Sequence, residues 1–362
     1  MKKRQQKRKG ICIITLSNNY DHQECAFSMF NELVSSYNVY CIGLTNQKNP
    51  RSPKESDRCF YYNAPRRPGI TLKTFNFIEL FKIIKKINSL DVEYVYFESE
   101  HIWNALIMMF LKKKIKKVEV IHDVIPHSDS KGKNLANKVT CKLADFVLIR
   151  NEKYRQELIN RYKVKEEKII VIPLWRYYPK FEANEKADGF LFFGRMRKYK
   201  GLDEMLTIAK ECPNIKFNVI GKSDDESKPM VDLMSKLENV NVVDREVSDE
   251  EMEQYFKNNK AIILPYESAT QSGVIVDAYK YSKPVIAYNV GAISEQIEND
   301  VSGYLVESNN TKLFEEKISL LNDMGSNEYC ALQKSAYDYG FNKYSVSKNK
   351  EIFIEMFLKE KN

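Results

Sequence analysis

Residues 260–288, KAIILPYESATQSGVIVDAYKYSKPVIAY, decide how the rest of the chain is read. The run 260–264 is short, apolar and rich in isoleucine, and it stops at Pro265, which has no N–H for a strand ladder. A polar loop follows. Apolar residues then return at helical spacing over 272–281, and a second apolar run, 284–288, starts at Pro284. Strand, helix and strand in one short stretch make a βαβ unit, whose two strands lie parallel.

Working outward, the same alternation covers the chain. Strands are expected at 189–193 and 216–220 in the second half, and at 11–16, 38–44, 93–98, 117–121, 145–149 and 168–172 in the first. Helical stretches fall at 71–89, 102–114, 151–162, 201–211, 228–238, 249–258 and 311–322. A chain of 362 residues exceeds one ordinary core. The expected fold class is α/β, with two Rossmann-like doubly wound domains facing a cleft and ligands at the carboxyl ends of the strands. The stretch 173–188, PLWRYYPKFEANEKAD, lacks a clear period and holds the expected boundary. The expected domains are 1–175 and 176–340, with a final helical segment, 341–362.

Composition excludes several classes. With 43% apolar and 29% charged residues the chain can build real cores, so general disorder is excluded. The longest nearly apolar run, Ile102 to Leu111, falls short of the about 20 residues a membrane span needs. The basic start MKKRQQKRKG leads into Ile11–Leu16, too short for a signal peptide and better read as a first strand. Seven scattered cysteines without a C-x-x-C pair, and four histidines, fit reduced cytoplasmic thiols and no metal centre.

Net charge is +8, unevenly spread. Residues 1–178 hold 33 Lys+Arg against 18 Asp+Glu, and residues 179–362 hold 24 against 31. The basic half calls for an anionic partner.

Two segments carry the chemistry. In 192–206, FFGRMRKYKGLDEML, a strand end delivers Gly194 and Arg195, and a helix start follows Lys200. A helix N-terminus favours anions, arginine grips phosphate bidentately and lysine adds a point charge. The pair is either a diphosphate clamp or two solvated surface cations. In the second segment Ser272 and Gly273 open a helix and Asp277 lies one turn on. Gly273 and Val274 can bring the backbone close to a ligand, and Asp277 can accept two ribose hydroxyls or serve only the helix.

Together these segments resemble family 4 glycosyltransferases, the GT-B, sugar-retaining enzymes of bacterial surface polysaccharides. The likeness is in the order strand-G-R-x4-K-G-helix, S-G-V-x-x-(acid)-A, K-P-V-I-A, V-G-x-x-x-E and S-G-Y-L-V over 189–307, and more weakly in V-I-H-D at 120–123 and A-D-F-V-L-I-R-N-E at 144–152. The resemblance implies a hexosyltransferase using a UDP- or GDP-linked sugar, with no metal or other cofactor. By position, Arg195 and Lys200 hold the diphosphate, Gly194, Ser272, Gly273 and Val274 line it, Asp277 takes the place of a ribose-binding glutamate, and His122 faces the transferred sugar. It also implies that segment 341–362 crosses back to the first domain.

Two positions depart from the pattern. The first of the family's two spaced glutamates falls on Ala269, so Glu267 stands as a catalytic candidate by a different loop path. The usual glycine-rich loop after the first strand is replaced by SNNYDHQE, 17–24, which puts Asn18, Asn19, Tyr20 and His22 on the acceptor side. His22 and His127 read equally well as ordinary loop histidines. These departures leave open a catalytically degenerate binding subunit that holds a nucleotide sugar or a partner enzyme.

The positive excess sits in the tail Lys2–Lys9, in helix 71–89 with Lys73, Lys82, Lys85 and Lys86 beside Phe75, Phe77, Ile78, Phe81 and Ile84, and in Lys112–Lys117. Taken alone, 102–111 reads as a core helix. The three elements together suit an anionic membrane surface. The resemblance implies that the first domain holds a polyprenyl-diphosphate-linked glycan acceptor on the cytoplasmic leaflet. No nucleic-acid reading motif is present, so nucleic acid is not expected as a partner.

Overall fold

A computed structural model of the chain describes residues 10–45, 49, 51–65, 72–125 and 131–358. Among these, the first sheet comprises β1 Gly10–Ile14, β2 Asn38–Leu44, β3 Cys59–Tyr62, β4 Tyr94–Phe97, β5 Lys116–Ile121, β6 Phe146–Ile149 and β7 Ile169–Val171. Its spatial order is β3-β2-β1-β4-β5-β6-β7, and its paired strands are parallel. The second sheet comprises β8 Phe190–Phe193, β9 Phe217–Gly221, β10 Val240–Asp244, β11 Ala261–Leu264, β12 Val285–Tyr288 and β13 Gly303–Val306, in the order β10-β9-β8-β11-β12-β13 and again parallel. Both are the doubly wound sheets expected from the alternation.

The strands form where they do because each central one is apolar on both faces, as a parallel sheet between helices requires. β1, β4, β11 and β12 are buried along their whole length. In β4 the side chains alternate between faces. Val95 and Phe97 join the cluster that includes Leu80, Ile83, Ile84 and Ile87 from helix Phe77–Ser89 and Trp103, Ile107 and Met108 from helix Ile102–Phe110. Tyr94 and Tyr96 meet Phe357 and Phe353 of helix Val346–Phe357, with ring centroids 5.4 and 5.3 Å apart.

The chain divides into two compact units. One runs to Tyr177 and resumes at Tyr344; the other is Tyr178–Lys343. Within the first unit the outgoing and returning segments pair side by side. The Arg176 N–H donates to the Tyr344 carbonyl at 2.8 Å, and the Val346 N–H donates to the Arg176 carbonyl at 2.7 Å. The final helix is thus part of the first unit's core.

Several local expectations are corrected. The segment 71–89 is a short 3-10 turn, Leu72–Phe75, and a helix from Phe77, because the Asn76 side chain caps that helix by accepting from the Glu79 N–H. The helix expected to 114 ends at Phe110, and the lysines that follow lead into β5. The loop expected over 17–24 is shorter: Asn19 caps helix Tyr20–Leu33, so Tyr20 and His22 lie on its first turn. β3, β10 and β13 were not expected as strands. Lys2–Lys9 and His127 lie outside the described residues, as does the side chain of Lys73.

Candidate functional site

Each unit gathers its candidate residues at the carboxyl ends of its strands, where open α/β sheets bind ligands. In the first unit β1 leads to His22, β4 to Glu98, β5 to His122 and β6 to Arg150. The His22 and His122 rings lie 4.1 Å apart, so residues far apart in sequence form one contact. His122 Nε2 is 2.7 Å from the Glu98 carbonyl oxygen and 3.2 Å from Glu98 Oε1. A carbonyl oxygen only accepts, so Nε2 carries the hydrogen and the ring is fixed in orientation.

On its other side the Glu98 carboxylate accepts from Arg150 Nη2. Arg150 is stacked over Trp175, with its guanidinium carbon 4.7 Å from the ring centroid. Glu98 is wholly buried, and burial alone would push its carboxyl up. Arg150 and His122 outweigh that and hold it below the usual carboxylate range. The same pairing pushes Arg150 up against its own burial. Glu98 is therefore an ionised buried group that holds His122. Its sequence signal was available: a carboxylate closing the apolar run EYVYFE.

The remaining acceptor-side candidates lie at the start of helix Tyr20–Leu33. Asn18 and Asn19 are exposed. Asn19 Oδ1 accepts from the Asp21 N–H at 2.9 Å, a capping bond. The Tyr20 ring lies under the Arg176 guanidinium at 5.4 Å. The Ser17 hydroxyl accepts from the Asn19 N–H and its carbonyl from Gln23 Nε2.

In the second unit β8 and β11 are neighbours at the point where the strand order reverses, and their carboxyl ends hold the other candidates. Gly194 has φ +102°, which favours glycine, and a Cβ there would lie 3.0 Å from Lys200 Nζ, so the two residues adjoin. Lys200 is buried, with Nζ 3.5 Å from the Phe193 carbonyl and 5.1 Å from the Tyr266 ring centroid. The turn holding it is locked to the loop after β11. Gly201, at φ +71°, passes so close to that loop that a Cβ would meet the Pro265 carbonyl at 1.7 Å. The Glu267 N–H donates to the Tyr199 carbonyl at 2.9 Å.

Two cations of this turn are neutralised, Arg197 by Asp224 at 3.2 Å and Lys198 by Glu226 at 3.9 Å. Arg195 is exposed and has no carboxylate partner among the described residues. The loop leads to helix Gly273–Lys280. Ser272 precedes this helix without capping it, and its own N–H is taken by Gln296 Oε1 at 2.7 Å, while Gln296 Nε2 donates to the Ser272 carbonyl. The first-turn N–H groups, beginning with Gly273 and Val274, have no intrahelical acceptor and suit an anion. The Val274 methyl is 3.8 Å from the place of a Gly194 Cβ, so the two glycine-lined elements adjoin. Asp277 is buried on the next turn and Glu267 is exposed. Ala269 is buried, with its carbonyl accepting from the Ala292 N–H. Gln296 had no distinguishing signal in the sequence.

Two parallel α/β sheets of this kind constitute the GT-B fold, and residues 175–338 match the family model described as "Glycosyl transferases group 1". A 41.2 kDa protein in the cps region of Klebsiella pneumoniae is 28% identical over 182 residues, which is 49% of this chain and 48% of that protein. The capsular polysaccharide biosynthesis glycosyltransferase CapM of Staphylococcus aureus is 25% identical over 250 residues, 62% of this chain and 65% of CapM. The chain thus spans about half the length of the first of these relatives and just under two thirds of the second. Anabaena Alr3699/HepE, solved in complex with UDP, superposes with a TM-score of 0.71 at 13% identity, covering 96% of this chain and 99% of that one. Among the described residues no helix is long and apolar enough to cross a membrane, and no group of side chains could hold a metal ion.

Proposed function

We propose that the chain is a retaining glycosyltransferase of the family 4 type. It moves a hexose from a UDP- or GDP-linked donor to a lipid-linked glycan in capsule or related surface-polysaccharide synthesis. One observation carries the reading: exposed Arg195, Lys200 beside Gly194 and the uncapped start of helix Gly273–Lys280 share the strand ends of β8 and β11. That set presents positive charge and backbone N–H groups to one anion. The match of residues 175–338 to group 1 glycosyl transferases, and a relative named for capsule synthesis, support the same reading.

In this mechanism the donor's glycosidic bond breaks with charge passing to the nucleotide diphosphate. Arg195, Lys200 and the N–H groups of Gly273 and Val274 take up that charge. Preorganised cations and dipoles do this without a metal ion. The sugar passes through an oxocarbenium-like state. Asp277 is assigned to the ribose hydroxyls, Glu267 to the donor sugar, and His122, held by Glu98, is the first unit's contribution. The chain works as a peripheral protein on the cytoplasmic face of the membrane.

Nucleotide release tests the proposal. Purified chain with UDP- and GDP-sugars and a polyprenyl-diphosphate sugar is expected to release nucleotide and extend the acceptor by one sugar, read by mass. Donor binding by calorimetry without turnover on any acceptor would overturn it.

A further inference from the structure

Helix Phe77–Ser89 carries more apolar surface than the core uses. Leu80, Ile83, Ile84 and Ile87 recur at helical spacing and are buried. Phe77, Ile78 and Phe81 remain 49%, 73% and 53% exposed. Phe75, one turn earlier, is 61% exposed with its ring 6.5 Å from Phe77. Helix Ile102–Phe110 repeats the arrangement: Trp103, Ile107 and Met108 are buried while Met109 and Phe110 are exposed. The Phe81 and Phe110 rings meet edge to face at 5.9 Å, so the two sets are joined. Asn88 ties the helices further, donating to the Phe110 carbonyl at 3.0 Å and accepting from the Lys112 N–H at 2.9 Å. Single exposed apolar residues need no explanation, but a joined aromatic ridge marks an interaction surface.

Charge selects the occupant. Lys85 and Lys112–Lys114 are exposed beside the ridge. The one acid on the two helices, Glu79, is paired with Lys82 at 2.7 Å. A second copy docked through the same face would set lysines against lysines. An anionic leaflet takes the aromatic side chains below its headgroups and the lysines among them.

We propose that the ridge Phe75–Phe81 with Met109 and Phe110 inserts into an anionic membrane leaflet, the flanking lysines holding its headgroups. This deepens the reading of a lipid-linked acceptor by naming the surface that reaches the lipid.

The test is cosedimentation of the full chain with phosphatidylcholine vesicles, with and without phosphatidylglycerol, at low and high salt. No donor or acceptor is present, so the result stands apart from turnover, and either reading can fail alone. The wild type is expected to sediment only with phosphatidylglycerol and to be released by salt. Replacing Phe77, Phe81 and Phe110 together by Ser, and separately Lys112→Glu with Lys113→Glu and Lys114→Glu, should each weaken partition by at least about tenfold. The replaced side chains are exposed, so both variants should keep the wild-type thermal transition. Should one fail to fold, the other variant still decides. Equal binding to neutral vesicles, no binding to either kind, or full binding by the Ser variant would overturn the proposal. Ridge-dependent self-association without vesicle binding would overturn it in favour of a second copy.

Discussion

The first unit buries the charge at its strand ends, and the second leaves charge open there. Beneath the surface Glu98 joins His122 on one side and Arg150 on the other. At the ends of β8 and β11, Arg195 stands exposed and the first turn of helix Gly273–Lys280 has no side-chain cap. A closed ion network fixes geometry but has little capacity left for a new charge. An exposed arginine beside uncapped N–H groups gains most from an arriving anion. In the proposed reading the same fold makes a positioning device in one unit and an anion site in the other.

The largest expected effect falls on the open site. Arg195→Ala and Lys200→Ala should each lower kcat/KM for nucleotide release by about 10²–10³-fold, since each removes a donor aimed at developing charge. Unchanged turnover in both would abolish the contrast. Next is the closed network. Arg150→Met leaves Glu98 buried without its main countercharge and should cost about 3–5 kcal/mol in urea unfolding. A loss under 1 kcal/mol would show that the network is not what holds these strand ends.

Lys283 sharpens the point, because it is a buried lysine of the second unit whose Nζ has no hydrogen-bond partner among the described residues. Burial lowers its pKa from 10.5 to about 7. Below pH 7 the folded and unfolded chains both hold the proton and the penalty is constant. Between 7 and 10.5 the unfolded chain binds more protons, so stability rises with pH. Lys283→Met should therefore stabilise by about 2–3 kcal/mol near neutrality, with the advantage shrinking toward pH 10. A constant advantage across that range would contradict a buried lysine that gives up its proton near pH 7. The smallest effect is at Asn19, where Asn19→Ala should cost about 1 kcal/mol for the lost cap and leave turnover unchanged. A selective rise in acceptor KM would return Asn19 to the acceptor side.

The sequence exposed the centre of each sheet better than its rim. β1, β4, β11 and β12 are buried on both faces and read as unbroken apolar runs. The strands that escaped notice, β3, β10 and β13, are all edge strands. CFYY and VNVVD are each buried at their first residue and half-buried or exposed beyond it, so no apolar run marks them. The final GYLV was visible only as part of a motif. The site divides similarly. Gly194, Arg195 and Lys200 stand near one another through one local turn and show as a pattern, and Gly273 opens its own motif, brought alongside by the pairing of β8 with β11. The Glu98–His122–Arg150 chain joins the ends of three different strands, and no local spacing records such a join. Helix Tyr20–Leu33 is not expected from the sequence, and its cap is an asparagine within a polar run that reads as loop.

The account rests on the open strand ends of β8 and β11 acting on a nucleotide sugar. The most direct test is acceptor-dependent nucleotide release by the purified chain across a panel of UDP- and GDP-sugars. The account predicts turnover with at least one donor and a product heavier than the acceptor by one sugar. Saturable donor binding with no release above the enzyme-free rate, on every acceptor tried, would contradict it.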